Sequence, residues 1–306
     1  MIKVIVAIFL TVFSTRAFAQ INLNDSTAQV ISYWNLGDSY SYSISLQKLK
    51  IKDQDTTSNE FMTYSVDVSV VDSTENSYDI EWFYHNYQTN STNEIIKKIT
   101  ALAEDLKIVI ETDELGTIKG VKNWEDVTAS IKKSLEPIRD EYKNIPQLGK
   151  VFDQLETMYN SKAGIENMAI QDIQQFHFFH GGKYALGEVN EYATKVPNGY
   201  NPNEELDSRL TLYLDEINSD DNNFIMRSKQ EVDAEQLMTV AKAYLNSLSK
   251  TMGAAEFKLD DFGKMTNLTT TDSRIHGTGW LIYSIQTKTV EGAGVKNVEE
   301  RIIELN

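Results

Sequence analysis

His177 and His180 stand three residues apart, flanking Phe178-Phe179 and directly before Gly181-Gly182. On a helix that spacing brings two imidazoles to one side, where they can share a metal ion, and a neighbouring glycine pair leaves room for a ligand. A metal site needs a third and a fourth donor, however, and the zinc-protease arrangement HExxH is absent. The plainer reading places both rings near a helix C-terminus, where carbonyls need donors and a cation is favoured. The pair is a weak metal candidate, and no cofactor is expected. Asp53, Asp55, Thr57 and Asn59 offer oxygens at alternate positions, as a calcium loop does. That pattern fails where Ser58 replaces the turn glycine and Tyr64 replaces the final Glu, which leaves a solvated hairpin turn. A chain with no cysteine and no Gly-x-Ser-x-Gly elbow has neither thiol chemistry nor disulfides, and lacks the common serine motif.

A second set of residues points to binding instead of catalysis. Ile165, Met168, Ile173, Phe176 and Phe179 recur along one helical face. Of these, Met168, Ile173, Phe176 and Phe179 are soft or bulky groups able to line a variable apolar cavity. The competing reading is ordinary packed core.

The elements that must hold these residues follow from hydrophobic period. Tyr40, Tyr42, Ile44 and Leu46 alternate with Ser39, Ser41, Ser43 and Ser45, a strand with one buried and one wet face. A bulge is expected near Lys48, where the alternation slips by one residue. Met62 to Val70 and Tyr78 to Tyr84 repeat the pattern across the polar turn Asp72–Asn76, as an antiparallel meander does. Ile95, Ile96, Ile99, Leu102, Ala103 and Leu106 then mark a helix over 94–106, followed by two short strands around Asp113-Glu114-Leu115-Gly116. Leu186-Gly187-Glu188, the turn 218–223, a helix over 234–248 and Asp260-Asp261-Phe262-Gly263 echo the first half in the same order. Turns everywhere use Asp, Asn and Gly, so the echo reads either as a duplicated β-β-β-α-β-β unit or as two similar α+β halves.

The expected fold class is therefore α+β, with two antiparallel curved sheets, one from each copy. A first repeat spans 20–122, a helical insert 123–182, and a second repeat with a C-terminal β-hairpin 183–306. Within the insert, Pro137 should kink or break the first helix.

Composition limits the partners. A net charge of −16 over 306 residues disfavours nucleic acid and anionic membrane surfaces, which need clustered cations. Met1-Ile2-Lys3, the apolar run Val4–Phe13 and Ala17-Phe18-Ala19 before Gln20 have the layout of a signal peptide over 1–19. That run is too short for a hydrocarbon core of ~30 Å, and no later stretch approaches spanning length. The expected address is the periplasm or the extracellular space, with no integral membrane segment after cleavage.

The stretch strand, Asp-Glu-Leu-Gly, strand, Asn123-Trp124-Glu125, behind such a leader and a Ser/Tyr-rich strand, resembles exported bacterial proteins of unknown function. The layout of strands crossed by a helix is also similar to periplasmic lipoprotein-carrier folds, in which a curved sheet holds acyl chains. The resemblance implies an exported, non-enzymatic binding or carrier protein for an apolar ligand or a partner protein. A cell-envelope scaffold without a small ligand is the alternative. A hydrolase or metal-dependent enzyme using His177 and His180 comes third.

Overall fold

Two short strands, β1 (Ile21–Asn22) and β2 (Thr27–Gln29), precede the first alternating segment. A computed structural model describes residues 20–168, 170–198, 204–252 and 265–306, apart from the side chains of 146, 147, 168 and 247–252. The proposed leader and the turn at Asp260–Gly263 lie outside the described residues. In β3 (Ser39–Lys52) Tyr42 and Ile44 are buried while Ser41 and Ser43 are exposed, so the period of two has become two faces. β4 (Asp55–Thr74) and β5 (Ser77–Thr89) extend this meander, and Val66, Val68, Ile80 and Trp82 complete its inner face.

The chain then crosses that face in α1 (Glu94–Thr100), whose first turn is capped by the Asn93 side chain accepting from the Ile95 amide at 2.9 Å. The expected helix over 94–106 is shorter, because a 3-10 turn at Ala101–Ala103 tightens its end. β6 (Leu106–Asp113) and β7 (Ile118–Val121) continue the sheet beyond β5.

The insert follows as α2 (Trp124–Glu141), α3 (Pro146–Met158), α4 (Lys162–Met168) and α5 (Gln171–His177). Pro137 does not end α2, since buried Leu135 and Ile138 anchor the helix on both sides of it. The single helical face expected from Ile165 to Phe179 is instead divided between two short helices, α4 and α5. After β8 (Lys183–Ala185), which joins β1 and β2 in a small sheet, come β9 (Val189–Pro197), β10 (Glu205–Asn218) and β11 (Asn223–Val232). α6 (Ala234–Met252), β12 (Thr266–His276), β13 (Leu281–Gly292) and β14 (Val295–Leu305) complete the chain.

The class is α+β, mostly strand, but the two meanders do not form separate sheets. Among the described residues they merge into one antiparallel sheet of eleven strands, ordered β7-β6-β5-β4-β3-β14-β13-β12-β11-β10-β9. The join is the pairing of β14 with β3, running from Val295 opposite Lys52 to Leu305 opposite Tyr42. Without it both strands would leave their backbone groups on an open edge. Their inner residues also belong to one core, since Ile303 and Ile44 lie opposite each other and both are buried. α5 packs close to this seam. The Phe176 ring lies 5.6 Å from Tyr42 of β3, 5.3 Å from Trp82 of β5 and 6.2 Å from Trp280, which precedes β13.

Candidate functional site

A cavity of about 380 Å³ opens between the inner face of the first meander and its helical cover. Met62 and Tyr64 of β4, Tyr84 and Tyr87 of β5, and Leu106 and Ile108 of β6 form its floor. Ile99 of α1, Leu102 and Ala103 of the 3-10 turn, Ile131 of α2 and Leu155 of α3 form its roof. Strict alternation puts Tyr84 on the inner face and would turn Tyr87 outward. A bulge prevents this: the β4–β5 register slips between Thr63 and Ser65, and Asn86 takes a left-handed φ of 61°. The Glu104 carboxylate, just after the 3-10 turn, accepts from the Asn86 and Tyr87 amides at 2.9 and 3.1 Å and holds the bulge. Tyr87 thereby stacks on Tyr64, with ring centres 4.6 Å apart.

One wall is polar. Asp172 enters from α5 and Arg301 from β14, and both are buried. Arg301 Nε lies 2.9 Å from Asp172 Oδ1, Tyr64 donates its hydroxyl to Asp172 Oδ2 at 2.7 Å, and Arg301 Nη2 donates to Gln171 Oε1 at 2.6 Å. Arg301 also lies 3.4 Å from Glu299, which pairs with Lys48 at 3.3 Å. Burial pushes the Asp172 carboxyl above the ordinary range, against the pull of Arg301 and the Tyr64 hydrogen bond. Burial, reinforced by the Asp172 charge, holds the Tyr64 and Tyr84 phenols protonated far above neutrality. Among the described residues, the buried Tyr84 hydroxyl has no hydrogen-bond partner. The arrangement as a whole is an apolar chamber with one hydrogen-bonding wall.

The residues singled out from sequence lie mostly elsewhere. Ile173, Phe176 and Phe179 are packed in the main core, at most 1% exposed, and the cavity wall takes Gln171 and Asp172 from the same helix instead. The Met168 side chain lies outside the described residues. His177 and His180 are buried, and each donates to a backbone carbonyl: Nδ1 of His177 to Gly116 at 2.8 Å, Nε2 of His180 to Gly279 at 3.0 Å. Both glycines have left-handed φ, and a side chain on Gly116 would strike Ser32 and His180. The imidazoles thus fasten two tight turns to the core. Burial lowers both pKa values, His180 to about 4 and His177 well below its ordinary value, which the neighbouring imidazole also depresses. Among the described residues no group of three or more His, Asp or Glu is arranged to hold a metal.

No family model matches the chain, and no curated protein matches it. Among solved structures, one described as "Lipid-protein interactions in lipovitellin" aligns with a TM-score of 0.39 and 8% identity. The alignment covers 89% of this chain and 25% of that one, so this chain spans about a quarter of its length. Among the described residues, no helix is long and apolar enough to cross a membrane.

Proposed function

We propose that the protein is an exported, non-enzymatic carrier that holds an apolar ligand in the chamber between the first meander and the insert. The observation that carries this reading is the chamber itself, about 380 Å³ with a largely aliphatic and tyrosine lining. Small-molecule pockets run from about 300 to 1,000 Å³ and combine apolar walls with a few converging polar groups. The signal-peptide layout of the sequence over 1–19 supports the exported address, in the periplasm or beyond the cell. Three strands, a helix and further strands recur in the same order in both halves, which supports a duplicated unit as the origin of the scaffold. The insert lies between the two halves, and the chamber is roofed by α1, the 3-10 turn and the insert helices α2 and α3.

The test is uptake of a neutral apolar dye, N-phenyl-1-naphthylamine, by delipidated protein. Saturable fluorescence enhancement is expected for the wild type. Ala103→Trp places an indole in the chamber from the 3-10 turn and should weaken uptake about tenfold, equivalent to roughly 1.4 kcal/mol, with circular dichroism unchanged. Absence of saturable uptake by the wild type ends the carrier reading in favour of an envelope scaffold.

A further inference from the structure

Lys48, Arg301 and Asp172 line the chamber, and with Glu299 behind them their charges alternate and cancel. Lys48 pairs with Glu299 at 3.3 Å, Glu299 lies 3.4 Å from Arg301, and Arg301 lies 2.9 Å from Asp172. Two cations therefore meet two carboxylates, and neither sign is left over for a ligand. An incoming carboxylate is desolvated against Asp172, and an incoming ammonium against Arg301 and Lys48. Taking an uncompensated charge out of water costs several kcal/mol. A hydroxyl or an ester escapes that penalty. The volume, about 380 Å³, is at the low end for small-molecule pockets and suits one alkyl chain, not several.

Building on the carrier reading, we propose that the chamber selects a single-chain amphiphile with an uncharged polar head. Long-chain alcohols and monoacylglycerols fit this class; free fatty acids and alkylamines do not.

The experiment is displacement of N-phenyl-1-naphthylamine by four competitors sharing a dodecyl-length chain: dodecanol, monolauroylglycerol, laurate and dodecylamine, each kept below micelle formation. The two uncharged compounds should displace the dye at about tenfold lower concentration than either charged one. Asp172→Asn keeps the side-chain shape but leaves Arg301 with one carboxylate fewer, and should raise laurate affinity about tenfold. Glu299→Gln, at a more exposed position than Asp172, should shift the ranking the same way. Laurate or dodecylamine at parity with monolauroylglycerol in the wild type overturns the head-group preference while leaving the carrier reading intact. A ranking that both variants leave unmoved overturns it as well. Failure of the dye to bind the wild type overturns both readings together.

Discussion

Phe176 separates packed core from ligand wall at the level of a single ring. It is 1% exposed and lies within 6.5 Å, centre to centre, of Trp34, Tyr42 and Trp82, so no part of its surface is left for a ligand. Phe176→Ala should therefore cost about 3–5 kcal/mol in urea unfolding, because the lost transfer energy and the residual void add. Dye uptake in the chamber should persist at temperatures where the variant is folded; a fall in uptake without a fall in stability would put the ring back in the ligand site. The two buried histidines make a second prediction. The fold keeps them neutral, His180 down to about pH 4, while the unfolded chain protonates them near 6.5. Between those values the unfolded state holds more protons, so stability rises with pH and is lost on acidification, by up to about 1.4 kcal/mol per pH unit per histidine. Asp172 acts with the opposite sign, since its raised pKa makes the native state hold the extra proton where that carboxyl titrates. Urea midpoints from pH 4.5 to 7 should therefore slope less steeply in His180→Asn than in the wild type. Equal slopes would mean that His180 titrates normally in the fold.

Elements, more than residues, decide where the chamber lies. The periodic signals of Tyr42 and Ile44, of Val66, Val68 and Val70, and of Ile80 and Trp82 are local, and each became an inner sheet face. Helix-forming signals were as legible, because Val127, Ile131, Leu135 and Ile138 recur at helical spacing and are buried together. The break before Ile170 is not legible, since apolar residues at three- and four-residue spacing continue across it. Tyr87 was missed for a different reason. Its inward turn depends on the left-handed φ of Asn86 and on amide acceptance by Glu104, and Asn at such a position is the one local hint. Asp172 and Arg301 carry no local signal at all. Each looks like a solvated charge in its own segment, and only the seating of α5 against β14 brings them within 2.9 Å. The β3–β14 pairing is of the same kind, a contact between opposite ends of the chain that neither segment announces.

At the scale of the molecule, that pairing changes what kind of object the protein is. Two autonomous repeats, each with its own sheet and helix, would unfold separately, as multidomain chains commonly do. Here the halves share one sheet and one core. Trp34 from the N-terminal segment packs on Trp280 at 4.7 Å, the Tyr33 amide donates to Thr278 at 3.1 Å, and the Tyr42 hydroxyl donates to Leu281 at 3.0 Å. Gln175 of α5 reaches Ser284 of β13 at 2.9 Å, while Asp172, three residues earlier, holds β14 through Arg301. A defect in the seam therefore exposes apolar surface and unpaired edges in both halves at once. Urea unfolding should show a single transition, with tryptophan fluorescence and far-ultraviolet circular dichroism coinciding. The tryptophans report the shared core, chiefly through Trp34, Trp82 and Trp280, whereas the dichroism reports strands out to both ends of the sheet. Arg301→Met should move both signals to lower urea together, since an unpaired buried carboxylate costs about 3–5 kcal/mol. If the fluorescence transition precedes the dichroism transition, or if Arg301→Met shifts only one of them, the halves are energetically separate and the seam is a contact between two domains instead of the centre of one.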